Sequence, residues 1–386
     1  MSINQSTPEQ TIIGPYGEWA KSRTAGKLPS ISFRKKENTS LQEWRTTARQ
    51  RVRERMAIPD IGTLPKVTVE KQYNYDGLHI EEMTWQLPYG RPTEAVLLKP
   101  QDARGQLPAV LAFHDHGGNK YYGTRKIVRT SDKLPAGIEE HQKEYYSGRG
   151  WANELAKRGY VVLVSDAHAF ASRRVMISDV PEPLRKGLKD PDPDNLEQIH
   201  RYNDWANDHE SIMGRSLFSA GTSWPGVWVA EDLKALDILS SRPDVDKNRI
   251  GCGGLSGGGM RSCYIAGLDD RIKCAVPVGF MTTWNDFVLY KAQMHTWMIY
   301  IPLLPNELDF PEILSMRAPL ASLVLNNTED QLFTLSEMKR ADDIMRELYA
   351  KAGASDKYRC SFHPGLHKFD AKMQDEAFAW FDKWLK

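Results

Sequence analysis

The sequence predicts an α/β fold built on a mostly parallel central sheet with helices on both faces. Two observations support this prediction, and the chain length indicates how many domains to expect. From Pro108 onward, short continuous apolar runs alternate with segments of helical period. A glycine-rich turn joins one of these runs directly to a helical segment. The chain has 386 residues, more than the roughly 250–300 at which one hydrophobic core stops growing, so we expect a large domain with additions or two domains.

Residues 1–100 are predicted to form an N-terminal extension packed on the core. Ser40 and Glu43 have the spacing of a helix capping box, and Pro59 would stop the helix that follows. Apolar side chains at helical spacing predict an amphipathic helix over 40–58: Leu41, Trp44, Ala48, Val52 and Met56. The segments 66–72, 78–86 and 93–98 alternate or are rich in β-formers, which predicts antiparallel strands.

Residues 101–386 are predicted to form the main domain. The strand candidates are 109–113, 160–164, 249–252, 274–278, 320–325 and 358–362, and the helix candidates between them are 151–157, 228–239, 259–268, 335–352 and 369–385. Two stretches, 167–223 and 281–315, are too long to be simple connections. We expect both to stand as cap insertions above the carboxyl edge of the sheet, where open α/β proteins bind ligands.

Charge and cysteine content narrow the partners and the compartment. The 51 Lys and Arg residues balance 50 Asp and Glu residues, so no net field favours nucleic acid or an acidic membrane surface. The four cysteines show no C-x-x-C spacing and are predicted to be free thiols. Without a leader or an 18-residue apolar run, the chain is expected to be cytoplasmic, with no membrane or nucleic-acid partner; a homo-oligomer stays open.

The strongest motif is Gly254-Leu255-Ser256-Gly257-Gly258, which follows a predicted strand and opens a predicted helix. G-x-S-x-G in this context is typical of a nucleophile turn, where small neighbours let strand and helix approach while the serine hydroxyl stays exposed. An ordinary glycine-rich turn is the simpler alternative. The same letters resemble the signature loop of ABC-type ATPases, but the upstream phosphate loop which that interpretation requires is missing.

A nucleophilic serine needs a base, and the base needs an orienting carboxylate. After the strand at 320–325, Glu329 and Asp330 compete for the acid role, and we favour Asp330 because such acids usually lie several residues past the strand end. After the last strand, His367 lies in a loop released by Pro364 and Gly365 and is the favoured base. His363 abuts the strand and is expected to be structural.

The tetrahedral oxyanion of acyl transfer needs backbone donors. The N–H of Gly257, next to the nucleophile, and the N–H of His116, in the loop after the strand at 109–113, are the candidates. His114 and His116 also have the H-x-H spacing of a metal site, but the other histidines show no matching spacing, so we predict no metal and no cofactor.

Aromatic residues are the candidates for substrate contact. Trp284 and Trp297 lie in the 281–315 insertion, and Tyr122 follows the candidate oxyanion loop. Such rings stack on sugars or aromatic esters, but core and cap packing is the alternative role for most of them.

Taken together, these residues resemble the α/β-hydrolase superfamily, and within it the dienelactone hydrolase-like and acetyl xylan esterase-like bacterial esterases. The resemblance rests on FHDHGG at 113–118, VLVSD at 162–166, SRPDVD at 241–246 leading into Arg249 and Ile250, GLSGG at 254–258, DRIK at 270–273 and PGLH at 364–367. It covers residues 107–386 and the helix around Trp44. It departs from the family in two places: dienelactone hydrolases use a cysteine nucleophile, and the acid loop lacks the usual Gly-x-x-Asp form.

The resemblance implies a serine carboxylic-ester hydrolase in which Ser256, Asp330 and His367 act as nucleophile, acid and base. A small acyl ester of a carbohydrate or other small molecule is the substrate class it suggests. The alternatives are a serine peptidase or C–C bond hydrolase with the same three residues, and a non-catalytic binding protein that keeps the fold alone.

Overall fold

A nine-stranded sheet forms the centre of the computed structural model, which describes residues 11–24 and 28–386. The strands are β1 (Val67–Tyr75), β2 (Leu78–Trp85), β3 (Thr93–Pro100), β4 (Leu107–Phe113), β5 (Val161–Ser165), β6 (Val245–Leu255), β7 (Ile272–Val278), β8 (Ala321–Asn327) and β9 (Tyr358–His363). Their order across the sheet is β1-β2-β3-β5-β4-β6-β7-β8-β9. The predicted mostly parallel sheet is confirmed, because β5, β4, β6, β7, β8 and β9 pair in parallel.

The N-terminal strands are part of this sheet and do not form a separate layer. β1, β2 and β3 form the predicted antiparallel meander, and β3 then pairs antiparallel with β5, with Ala95 opposite Ser165 and Leu98 opposite Val162. The predicted division at residue 100 therefore crosses a continuous hydrogen-bonded sheet. Residues 1–10 and 25–27 of the predicted extension lie outside the described residues.

Eleven helices lie around the sheet in the described ranges. They are α1 (Gly17–Thr24), α2 (Leu41–Met56), α3 (Ile138–Tyr146), α4 (Trp151–Lys157), α5 (Leu196–Ser219), α6 (Trp224–Ser241), α7 (Gly257–Leu268), α8 (Trp284–Asp286), α9 (Phe310–Ser315), α10 (Leu335–Lys351) and α11 (Ala371–Leu385). Alternate strand residues divide between two cores: Leu111 and Leu163 pack with α2, α6, α7, α9 and α10, whereas Val110 and Val162 pack with α4 and α11. Helices thus cover both faces, as alternation along buried strands requires.

Helix α2 fixes the N-terminal segment to the main core. Ser40 caps it by accepting a hydrogen bond from the Glu43 N–H, and Trp44, Ala48, Val52 and Met56 form its buried face, as predicted. It ends at Ala57, which adopts a left-handed conformation with φ of 49°, two residues before Pro59. Arg49 and Arg53 donate to the carbonyls of Gly267 and Leu268, which end α7. These cations neutralise the negative end of that helix.

The two long insertions carry little regular structure apart from α5. The 167–223 stretch contains three short 3₁₀ turns followed by α5, and the 281–315 stretch contains α8, a π-turn at Phe287–Lys291 and α9. All four cysteines are free thiols. Within the described ranges, none of the helices combines the length and apolar character needed to cross a bilayer.

Candidate active site

Ser256 occupies the sharp turn between β6 and α7. Its backbone has φ of 58° and ψ of −119°, and its N–H donates to the Val278 carbonyl at 2.8 Å. A positive φ is rare for a residue with a side chain and persists only where the surroundings enforce it. The turn therefore lifts the Ser256 hydroxyl above the carboxyl edge of the sheet, as the motif predicts.

The glycines of the turn are required by close approach of the neighbouring strand. A Cβ atom on either Gly254 or Gly258 would lie 2.4 Å from the carbonyl oxygen of Phe113, at the end of β4. No side chain fits at that distance, so β4, β6 and the start of α7 can meet only when both positions are glycine. This packing brings the loop after β4 next to Ser256.

A cavity of about 310 Å³ opens above Ser256. Apolar side chains form much of its wall, and its lining residues are Asp115, His116, Gly117, Gly118, Tyr145, Leu255, Ser256, Gly257, Met260, Phe280, Met294, His295, Thr296, Ile299, Leu332 and His367. The 281–315 insertion contributes four of them, as its predicted position over the sheet edge requires. Of the described residues in 167–223, none lines the cavity.

His367 lies in the cavity wall and is oriented by Asp330. Its Nδ1 is 2.6 Å from Oδ2 of Asp330, whose other oxygen accepts the N–H of Leu332 at 2.9 Å. The Asp330 side chain is about 1% exposed. Nε2 of His367 is buried and has no hydrogen-bond partner among the described residues. Because Nδ1 faces the carboxylate, Nε2 is the nitrogen available toward the cavity.

Glu329 and His363, the alternative candidates for acid and base, form contacts elsewhere. Glu329 binds the loop before His367, since its Oε1 accepts the Gly365 N–H at 3.2 Å. His363 ends β9, where its Nε2 lies 2.9 Å from a carboxylate oxygen of Glu376 on α11. Neither side chain lines the cavity. The structure therefore brings Asp330, His367 and Ser256 to one site and leaves Glu329 and His363 outside it.

The loop after β4 reaches the start of α7 at the predicted oxyanion residues. A Cβ on Gly257 would lie 3.3 Å from the backbone nitrogen of His116, so the two predicted donors are neighbours. Across the described ranges, no acceptor takes a hydrogen bond from the His116 N–H. Gly257 is the first residue of α7, where backbone N–H groups are free and the helix dipole favours negative charge.

The side chains of His114 and His116 are committed to hydrogen bonds within the protein. His114 Nδ1 contacts the Asp115 carbonyl and its Nε2 accepts the Ala167 N–H. His116 Nδ1 accepts the Gly118 N–H at 3.0 Å, and its Nε2 lies 2.7 Å from Glu210 Oε1. Burial lowers the pKa of both imidazoles. Over residues 11–24 and 28–386, no set of three or more His, Cys, Asp or Glu side chains is placed to hold a metal ion.

Glu210 of α5 ties the 167–223 insertion to the loop after β4. Its carboxylate contacts both His116 and the buried Lys120 ammonium, which also donates to Asn207 at 2.6 Å. Although burial opposes ionisation, the hydrogen bond from His116 and the charge of Lys120 lower the pKa of Glu210 to about 2. We refer to Glu210, Lys120 and His116 as the cap latch.

Glu210→Gln is expected to lower the free energy of unfolding at neutral pH by about 3 kcal/mol. This magnitude follows from the difference between the ordinary pKa of a glutamate, 4.5, and the pKa of Glu210 in the folded protein, about 2. A carboxyl whose pKa is lower in the folded state stabilises fully above pH 4.5, and this stabilisation is lost as pH falls toward 2. Urea unfolding of both proteins at pH 7 and pH 4 should therefore show a gap that narrows with acid.

Asp208→Asn is the matched control, because Asp208 lies on the same helix but forms only an exposed ion pair with Lys186. Exposed pairs contribute roughly 0–1 kcal/mol. An equal loss for both variants, or a Glu210→Gln gap independent of pH, would contradict the stabilising role of the latch.

The structure corrects the sequence-based placement of three aromatic residues. Trp284 is 4% exposed and donates its indole N–H to the Leu308 carbonyl within the core. Trp297 packs its ring onto Gly214 of α5, where any larger residue would collide with it. Tyr122 packs edge-on against Tyr121 in a separate cluster and is 8% exposed. None of the three lines the cavity, because their apolar area is used in packing.

His295 lines the cavity but was not among the sequence-predicted site residues. Its Nε2 contacts the Leu332 carbonyl at 2.9 Å, and the N–H of Leu332 binds Asp330. Burial lowers the pKa of His295 to about 4, so the ring is neutral at pH 7. Only the path of the insertion brings this residue to the site, and the sequence carries no local signal for that path.

Comparisons with known proteins found sequence similarity to proteins that are described as peptidases or hydrolases. Residues 211–336, which include Ser256 and Asp330, match the model of the Prolyl oligopeptidase family. YtaP of Bacillus subtilis strain 168, which is assigned by name as a hydrolase, is 29% identical over 294 residues that cover 75% of this chain and 83% of that protein.

Two solved structures resemble nearly the whole chain. A protein of Bacteroides fragilis NCTC 9343 assigned as an acetyl xylan esterase has a TM-score of 0.66 at 19% identity, covering 94% of this chain and 84% of that one. A glucuronoyl esterase from Solibacter usitatus has a TM-score of 0.61 at 15% identity, covering 93% and 98%. The family resemblance predicted from the sequence is therefore confirmed at the level of fold.

Proposed function

We propose that this chain, an α/β-hydrolase by fold, is a serine carboxylic-ester hydrolase that acts through an acyl-enzyme. The observation that carries the proposal is the convergence on one cavity of Ser256 in a strained turn and of His367 oriented by Asp330 at 2.6 Å. Nucleophile, base and orienting acid in this arrangement form the general pattern of acyl transfer by serine.

In the proposed reaction, Ser256 Oγ attacks the ester carbonyl carbon and its proton passes to Nε2 of His367. The N–H groups of Gly257 and His116 stabilise the oxyanion. His367 then gives the proton to the departing alcohol, which leaves an acyl group on Ser256. A water molecule, deprotonated by the same imidazole, attacks the acyl carbonyl and releases the acid. Asp330 keeps the imidazole oriented and stabilises its protonated form.

The cavity supports an uncharged ester with a small acyl group as the substrate. Its described lining includes apolar side chains such as Met260, Phe280 and Ile299, but no lysine or arginine. A volume of about 310 Å³ lies at the lower end of the range for small-molecule sites. We propose an acetyl-type ester of a carbohydrate or similar neutral alcohol, in keeping with the acetyl xylan esterase name of one structural neighbour.

The experiment that tests this function is a substrate panel on the purified protein. It compares p-nitrophenyl acetate, butyrate and octanoate, a peracetylated sugar and a p-nitroanilide peptide, with a fluorophosphonate probe to label the nucleophile. We expect hydrolysis of the acetate and the acetylated sugar, a decline toward octanoate, and labelling at Ser256. Folded protein that neither labels nor hydrolyses an ester would overturn the proposal and favour a binding protein.

A serine peptidase is the second candidate, because a third of the chain matches the Prolyl oligopeptidase family model. The same three residues would serve either reaction, so only the scissile bond separates the two functions. Anilide cleavage at a rate comparable with ester cleavage would select the peptidase.

A further inference from the structure

A buried lysine, Lys126, forms hydrogen bonds with the loop that carries the His116 N–H. Lys126 ends a short 3₁₀ turn and is 0% exposed. Its Nζ donates to two successive carbonyl oxygens, those of Asp115 and His116, each at 2.8 Å. It also lies 3.6 Å from a carboxylate oxygen of Asp115 and 4.8 Å from the centre of the Phe170 ring.

The hydrogen bond to the Asp115 carbonyl, which His114 Nδ1 also contacts at 3.0 Å, sets the direction of the His116 N–H. The peptide bond between Asp115 and His116 is trans, since the cis bonds of the described chain lie elsewhere. In a trans peptide the carbonyl and the following N–H point in opposite directions. Because the Asp115 carbonyl points to Lys126, the His116 N–H points away from it. The backbone nitrogen of His116 lies beside Gly257, at the start of α7.

A buried ammonium is costly unless the protein repays its lost hydration. The two carbonyls and Asp115 offset part of that cost for Lys126. Although burial opposes ionisation of Asp115, Lys126 and His141 hold the pKa of this carboxyl well below its usual value. Asp115 is itself fixed by the Tyr146 hydroxyl at 2.5 Å and by His141 at 3.2 Å. The whole cluster is therefore rigid, as a preorganised donor requires.

We propose that Lys126 is a positioning residue for catalysis, which orients the Asp115–His116 peptide so that its N–H serves the oxyanion. The inference rests on the proposed function. It assigns to the oxyanion site a buried cation that touches neither the substrate nor Ser256. Without it, the Asp115 carbonyl keeps only the contact with His114 Nδ1 at 3.0 Å, and the His116 carbonyl loses the lysine as a donor. The peptide is then held less firmly, and a carbonyl turned toward the cavity would repel the oxyanion.

The test compares Lys126→Met with Arg317→Met. Arg317 is also 0% exposed and also donates to two backbone carbonyls, those of Ala321 and Ile272. These residues begin β8 and β7, at the amino ends of the parallel strands and thus opposite the carboxyl ends that carry the site. Each variant thus loses a buried cation from a pair of carbonyls, but only one of them borders the oxyanion loop. Titration with the fluorophosphonate gives the concentration of active sites, so that kcat refers to folded enzyme.

The first readout is the kinetics of ester hydrolysis. Lys126→Met should lower kcat roughly 10- to 100-fold and leave KM within about 3-fold of the wild-type value. The expected loss of kcat is smaller than the roughly 10²–10³-fold loss caused by removing an oxyanion donor altogether, because the variant keeps the His116 N–H. Arg317→Met should keep kcat per active site within about 3-fold. Equal losses in both variants, or a Lys126→Met enzyme with unchanged kcat, would overturn the inference.

The second readout is a trifluoromethyl ketone inhibitor. Ser256 Oγ adds to its carbonyl carbon, the hydroxyl proton passes to His367, and the carbonyl oxygen becomes an oxyanion resembling that of the reaction. Its affinity should fall in Lys126→Met by the same factor as kcat/KM. An affinity equal to that of the wild type would contradict a role for Lys126 at the oxyanion.

If Lys126→Met does not fold, the wild-type pH profile decides. Burial lowers the pKa of Lys126 to about 8, although Asp115 and, at longer range, Asp166 oppose the shift, while Lys120 adds to it. Besides these groups, the ammonium faces the Phe170 ring, the two carbonyls and the imidazoles of His114 and His116. Burial, and to a smaller extent the charge of Lys126, lowers the pKa of both imidazoles. Loss of its charge weakens both hydrogen bonds, so kcat should fall as pH rises through about 8 while KM stays constant. A kcat that stays flat from pH 7 to 10 would overturn the inference.

The failure of the proposed function would look different. Wild-type protein that is inert toward every ester and toward the fluorophosphonate would remove the esterase assignment itself. An active wild type with an equally active Lys126→Met variant would remove only the role of Lys126.

Discussion

Replacing Ser256 with alanine is expected to lower kcat/KM for p-nitrophenyl acetate by at least about 10⁴-fold and to abolish fluorophosphonate labelling. The substitution removes one oxygen, and no other described serine lines the cavity to replace it. In enzymes that use serine with a base and an acid, losing the nucleophile leaves only the catalysis supplied by the oxyanion donors and by binding. Steady-state kinetics and intact-protein mass after labelling measure the two effects.

The control for this prediction is Ser315→Ala. Ser315 is fully buried, and its hydroxyl donates to the Pro311 carbonyl inside α9, away from the cavity. We expect this variant to keep kcat/KM within about 2-fold, and thermal unfolding should show that both variants fold. Ester hydrolysis that survives Ser256→Ala at more than about a tenth of the wild-type rate would contradict the nucleophile assignment.

The nucleophile turn was predictable because its cause is local. Gly254 and Gly258 stand two residues on either side of Ser256, and the structure shows the same carbonyl of Phe113 pressing on both positions. The glycines of this five-residue motif are thus required by a contact with another strand. The same holds for α2, whose cap and buried face follow from residues within one helix.

The pairing of the N-terminal strands with the main sheet was not predictable in the same way. The N-terminal strands alternate like a free-standing meander, and nothing in 93–100 indicates that β3 pairs with β5, some 65 residues later. The pairing of distant strands depends on contacts across the whole sheet, which a local pattern does not contain. The local pattern therefore predicted the strands and placed them in an extension packed on the core, but it did not predict the pairing of β3 with β5.

The lining of the site shows the same limit for side chains. Tryptophans in the 281–315 insertion suggest a binding surface by residue type, but Trp284 and Trp297 pack into the protein, and His295 and Ile299 reach the cavity. A large apolar ring gains more from burial than from exposure at a cavity mouth. Lys126 has no sequence signal at all, since its importance lies in which carbonyls it meets.

The choice between Asp330 and Glu329 leads to the second large prediction. Asp330→Asn is expected to lower kcat about 10³- to 10⁴-fold, because an amide can donate to Nδ1 of His367 and place the ring proton on Nε2. Nε2 then cannot accept the proton of Ser256. The folded structure should survive, since the amide oxygen can still accept the Leu332 N–H that Asp330 now binds.

Glu329→Gln is the matched control one residue away, and it separates chemistry from loop structure. Glu329 accepts the Gly365 N–H through a single oxygen, which an amide oxygen replaces, so kcat should stay within about 3-fold of the wild type. Both substitutions remove one negative charge from the same loop, so a general electrostatic effect would lower kcat in both. Loss confined to Asp330→Asn identifies the residue that orients His367, whereas loss confined to Glu329→Gln would require the loop to rearrange when substrate binds.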